Sequence, residues 1–83
     1  MSGATIKVLY FAQVAEHLGT RQETLPLDEP IQAGLWLDAL AQRCPALGAA
    51  DRLKLAINQE HANRQALIKP GDEVAVFEPV TGD

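Results

Sequence analysis

A chain of 83 residues has room for one domain and one modest core, since a chain this small buries only about 60 to 65% of its unfolded surface, and no deep active-site cleft is expected in it. Seven Lys plus Arg against eleven Asp plus Glu give a net charge of −4, which disfavours nucleic acid and anionic membranes and favours a basic partner. No apolar run approaches transmembrane length and Met1-Ser2-Gly3-Ala4 is no signal peptide, so a cytoplasmic location is expected; a single Cys excludes an internal disulfide and a Cys-rich metal site.

Thr5 to Phe11 is rich in β-branched and aromatic residues, with Ile6, Val8 and Tyr10 on one face and Leu9 and Phe11 on the other. It reads as a central strand that is apolar on both sides. Ala12 to Leu18 spaces Val14, Ala15 and Leu18 as a short helical turn, and Gly19 stands where a left-handed cap would close it. Arg21 to Leu27 predicts a second strand antiparallel to the first, and Pro26 makes it an edge. Pro30 opens the next element, in which Ala33, Leu37, Leu40, Ala41 and Cys44 follow one helix face until Pro45 and Gly48 end it.

Leu53 to Asn58 alternates as a third strand, Gln59 to Gln65 is a polar connector, Pro70-Gly71-Asp72 is a tight turn, and Glu73 to Phe77 is the final strand. The order strand, strand, helix, strand, strand fits an α+β domain with a mixed sheet and one long helix on its face.

Several residues read as structural. Cys44 is expected to be a buried, inert thiol, and Trp36 to fill the core edge of the helix. Leu35 cannot face the same core as Trp36 and Leu37, so it points to solvent or a partner. His17 and His61 lack ligand-spaced companions and read as surface or boundary positions. There is no paired acid and base, nucleophile elbow or phosphate loop, so no catalytic residue and no metal ligand is expected.

The ending Val74-Ala-Val-Phe-Glu-Pro-Val-Thr-Gly-Asp83 breaks from strand pattern at Pro79 into small residues. Pro79 has no amide hydrogen for a sheet ladder. By its spelling alone such an ending is a frayed terminus; it is also shaped to be threaded into something.

Ile6-Lys-Val-Leu-Tyr-Phe-Ala-Gln-Val14, the Leu37-Asp-Ala-Leu-Ala41 helix, Ala56-Ile-Asn-Gln59 and the closing Gly71-Asp-Glu-Val-Ala-Val-Phe-Glu-Pro-Val-Thr-Gly82 resemble the MoaD family, the small subunits of molybdopterin synthase. The resemblance covers nearly the whole chain. It implies a ubiquitin-like β-grasp fold at residues 1–78 with an extended C-terminal tail at 79–83. It also implies a sulfur carrier with no active site and no bound cofactor of its own.

In that family a ubiquitin-activating-type partner uses ATP to adenylate the terminal carboxylate, which then becomes a thiocarboxylate. The tail enters the large synthase subunit and passes sulfur to cyclic pyranopterin monophosphate. Carried over, Gly82 and Asp83 form the sulfur-transfer tail, and Phe11, Phe77, Pro79, Val80 and Thr81 contact the partner.

An extended segment from Glu78 to Asp83 spans on the order of 20 Å at about 3.3 to 3.6 Å per residue, enough to reach a buried site from outside. Asp83 stands where the family has its second glycine. Its side chain adds bulk in a narrow channel and a second negative charge beside the carboxylate to be activated. The alternative reading is a ubiquitin-like interaction or scaffold module that docks the same partners without transferring sulfur.

Overall fold

A computed structural model describes residues 4–48 and 52–78 of the chain. The elements run β1 (Thr5–Tyr10), α1 (Ala12–Leu18), β2 (Gln22–Pro26), β3 (Ile31–Gln32), α2 (Ala33–Arg43), a 3₁₀ turn (Pro45–Leu47), β4 (Lys54–Ile57), β5 (Glu60–Ala62), β6 (Leu67–Ile68) and β7 (Glu73–Phe77). Five strands form one mixed sheet in the order β2-β1-β7-β4-β5, and β3 pairs with β6 in a separate two-stranded ladder. The first and last strands, β1 and β7, are parallel neighbours in the middle of the sheet, with antiparallel partners outside them.

Period-two alternation in the strands decides where the core sits. Ile6, Val8 and Tyr10 of β1, Val74 and Val76 of β7 and Leu55 of β4 point to one side and are buried. Ala33, Leu37 and Leu40 of α2, Val14 of α1, and Leu47, Leu53 and Ile68 close over them. The 11-residue α2 is the longer of two helices, and the 7-residue α1 shares the same core through Val14. Trp36 packs against the margin of this core and Leu35 is 58% exposed, as its place on the helix requires.

Helix α1 ends as its sequence predicts. Gly19 takes the left-handed conformation at φ 77°, where a Cβ would be strained, and donates its amide to Ala15 O. Strand β2 is an edge, and its outer side is blunted. Gln22 and Thr24 turn their backbone groups away from β1, Thr20 Oγ1 donates to Gln22 O at 2.9 Å, and Pro26 offers no N–H.

The structure corrects four expectations. The far side of β1 is not a second core face: Leu9 is half-buried and Phe11 is 49% exposed, because no layer covers that side of the sheet among the described residues. The supposed polar connector after residue 58 contains strand β5, formed through a two-residue turn in which Asn58 (φ 53°) and Gln59 (φ 73°) are both left-handed. Its polar spelling hides it because it is an exposed edge. The third strand is shorter than expected, Lys54–Ile57, with Leu53 buried just before it.

Cys44 is the half-buried residue that caps α2, not a buried helical thiol, and its Sγ donates to His17 O at 3.5 Å. Glu23 shares the inner side of β2 with Leu25.

Candidate docking face and tail base

Strand β7 carries the site, because it ends at Phe77, two residues before the Pro79 break in the sequence pattern. Both of its flanks are hydrogen-bonded: Val74, Ala75 and Val76 lie beside Val8, Leu9 and Tyr10 of β1, and beside Ile57, Ala56 and Leu55 of β4. A segment leaving such a strand starts from the rigid middle of the sheet. The ladder extends one residue further on the β1 side, where Phe11 N donates to Val76 O at 3.2 Å.

Phe11 follows buried Tyr10, and Phe77 follows buried Val76, so alternation turns both rings to the uncovered side at the same end of adjacent strands. The sequence-derived pair is thus brought together. Cross-strand registers complete the surface: Leu9 lies opposite Ala75 and Gln22, Ala56 opposite Ala75 and His61, and Phe77 opposite Lys54. The result is a small apolar area of Leu9, Phe11, Ala56, Ala75 and Phe77, bordered by Lys7, Lys54 and Glu73. Pro79, Val80, Thr81, Gly82 and Asp83 lie outside the described residues.

His61 belongs to this face, which sequence reading missed. Its ring stands 5.5 Å from that of Phe77 at 87°, an edge-on aromatic pair. Ala56 lies between them on β4, and its small side chain leaves room for the contact. The β4–β5 turn that positions His61 is tied to β7 by Asn58, whose amide donates to Glu73 O at 2.7 Å and whose Oδ1 accepts from Glu73 N at 3.0 Å.

Beneath the face, a polar knot fixes the end of β1. Tyr10 Oη donates to Glu23 Oε1 at 2.7 Å, and Arg43 Nη2 donates to both Glu23 oxygens at 2.7 Å. Burial of Tyr10, then its bond to the carboxylate, pushes its phenol far above the ordinary tyrosine value. Hydrogen bonds from Arg43 and then Tyr10 hold the Glu23 carboxyl below the usual range, and the same carboxylate raises Arg43. The network joins β1, β2 and α2 immediately before Phe11.

A cleft of about 470 Å³ opens on the other flank of Phe11, between β1, β2 and α1. Among the described residues no group of three or more His, Cys, Asp and Glu side chains is placed to hold a metal ion, and no helix is long and apolar enough to cross a membrane. The face offers packing and orientation.

Residues 8–82 match the ThiS family. The molybdopterin synthase sulfur carrier subunit of Escherichia coli (strain K12) is 42% identical over 79 residues, covering 93% of this chain and 98% of that protein. The subunit of the same description from Homo sapiens is 35% identical over 82 residues, covering 93% and 92%.

Among solved structures, SAMP1 from Haloferax volcanii superposes with a TM-score of 0.74 at 31% identity, over 95% of this chain and 99% of its own. A putative molybdopterin converting factor, subunit 1, from Pyrococcus furiosus gives a TM-score of 0.77 at 24% identity, over 94% and 100%, and supports the fold alone. The chain therefore belongs to the ThiS family, with the ubiquitin-like β-grasp fold, and stands among the MoaD-type sulfur carrier subunits of molybdopterin synthase.

Proposed function

We propose that this carrier docks its uncovered sheet face on the large subunit of molybdopterin synthase and delivers thiocarboxylate sulfur from its tail to cyclic pyranopterin monophosphate. The observation that carries the reading is β7 itself, the strand that precedes residues 79–83 in the sequence, which is held on both flanks and brings Phe77 beside Phe11. A rigid base beside an exposed Phe11 and a half-buried Phe77 would let the body be gripped while the tail extends. The net charge of −4 suits a basic rim on the partner.

The chemistry requires help from a second partner. A carboxylate is a poor acyl donor, since it is anionic and lacks a leaving group. An adenylating enzyme of the ubiquitin-activating type would join it to the AMP portion of ATP with release of pyrophosphate. A sulfur nucleophile then displaces AMP and leaves the thiocarboxylate. This chain contributes the handle, and ATP is bound by the partner.

Asp83 favours a second reading, a ubiquitin-like module that docks without donating sulfur, and SAMP1, described as a small archaeal modifier protein, shows a relative of this fold in another role. Incubation with the cognate activating enzyme, ATP and a sulfur source, followed by intact-mass measurement, separates the two. Replacement of one oxygen by one sulfur supports the carrier. Asp83→Gly is expected to load more efficiently than wild type, because it removes the Cβ and the extra charge. No loading of either protein favours the docking module.

A further inference from the structure

We propose that the cleft beside Phe11 is the specificity pocket of the docking face, and that it receives an apolar side chain projecting from the large synthase subunit. The inference rests on the docking reading above and adds to it a defined recess on this chain. Leu9 and Phe11 belong both to the apolar face and to the cleft, so the two surfaces are continuous. Ala12 and Ala15 of α1 keep the recess open through their small size, while Gln22, Glu16 and Arg21 border it.

Its volume of about 470 Å³ corresponds to roughly fifteen waters at about 30 Å³ each, so an apolar group entering it would release several of them. Recesses of about 350, 390 and 170 Å³ lie elsewhere on the surface, and none of these three is lined by Phe11.

The backbone at the cleft points the same way. Ala12 has φ 50°, and of the three non-glycine residues with positive φ among those described it alone lies outside the β4–β5 turn. That conformation strains an alanine, and strain of this kind collects where a surface is shaped for a ligand. Here it turns the chain from β1 into α1 without a loop and leaves the Phe11 ring standing as the wall between cleft and sheet face. A pocket walled by an exposed aromatic at the margin of an interface is a usual seat for a partner's anchoring side chain.

The test is calorimetric titration of the full chain against its cognate large subunit. Gln22→Trp fills the cleft from β2, where an aromatic suits an edge strand, and Ala15→Leu fills it from α1. Thermal unfolding first establishes that each variant is folded. Both folded variants are expected to bind at least about tenfold more weakly than wild type, while Gln42→Trp, which adds the same bulk at an exposed position of α2 away from the cleft, binds as wild type does.

Phe77→Ala serves as the control for the face itself. If Phe77→Ala weakens binding but both filled variants retain wild-type affinity, the cleft is not a pocket for the partner and the inference is overturned. If all three retain wild-type affinity, the docking face lies elsewhere and both readings fall.

Discussion

Replacing Tyr10 by Phe tests whether the polar knot under the docking face stabilises the domain. The ring stays in the core, where Tyr10 is 3% exposed, and only the hydroxyl is lost. A hydrogen bond to a charged group contributes about 1.5–3 kcal/mol. Glu23 retains two bonds from Arg43 and its side chain is 26% exposed, so its carboxylate is not stranded without partners. The expected loss therefore sits at the low end, about 1.5 kcal/mol at neutral pH.

At about 4–8 °C per kcal/mol for a domain of this size, the melting temperature falls by about 6–12 °C. A phenol whose folded value is raised stabilises fully below about pH 10 and loses that contribution as pH rises through the folded value. Wild type is thus expected to lose stability above about pH 10 more steeply than Tyr10→Phe does.

The chain has one Trp and one Tyr, so urea unfolding can be followed by Trp36 fluorescence and phenolate formation by the absorbance of Tyr10 alone. Ionisation of Tyr10 near pH 10 in the folded protein, or equal stability of the two proteins at neutral pH, would refute the reasoning.

Glu23→Gln probes the other side of the knot: because the folded carboxyl is held low, wild type carries extra stability above about pH 4.3 that disappears as pH falls, and the gap between the two proteins in urea titrations should close in acid. Gln59→Gly relieves a left-handed residue at φ 73° and is expected to raise stability by about 0.5–1 kcal/mol, measured as a higher urea midpoint at unchanged slope. Gly34→Val should cost about 1–3 kcal/mol, because even a Cβ there stands 3.1 Å from Arg64 Cβ and 3.2 Å from the Arg64 carbonyl. That carbonyl also accepts the Gly34 amide at 2.8 Å, so the turn cannot simply move away; a melting temperature equal to wild type would contradict this.

Elements with strong period or punctuation were legible in the chain itself. Strand β1 announced its inner face through Ile6, Val8 and Tyr10, Gly19 marked the end of α1, Pro26 marked β2 as an edge, and Pro70-Gly71-Asp72 marked the turn before β7. The β3–β6 ladder was not readable, because two pairs, Ile31 with Ile68 and Gln32 with Leu67, show no periodicity. Strand β5 was lost because its turn residues lack the usual glycine and its side chains are polar.

At the candidate site, Phe11 and Phe77 could be picked out, but His61 could not. Its contact with Phe77 depends on the β4–β5 register and on the small side chain at Ala56, neither of which leaves a local signal. The same holds for Glu23, whose partners Tyr10 and Arg43 are 13 and 20 residues away.

The central place of β7 has a consequence for the life of the chain during synthesis. The β1–β2 pair, joined through α1, and the β4–β5 hairpin form from neighbouring sequence, yet they touch each other in the sheet only through β7, the last described strand to leave the ribosome. Until it inserts, neither Phe11 nor His61 has Phe77 beside it, and no continuous face exists for a partner to grip. Completion of the sheet and assembly of that face are therefore one event. On the docking reading proposed above, a nascent or broken chain that lacks this strand offers no such surface, so the topology itself inspects each carrier before it can be used.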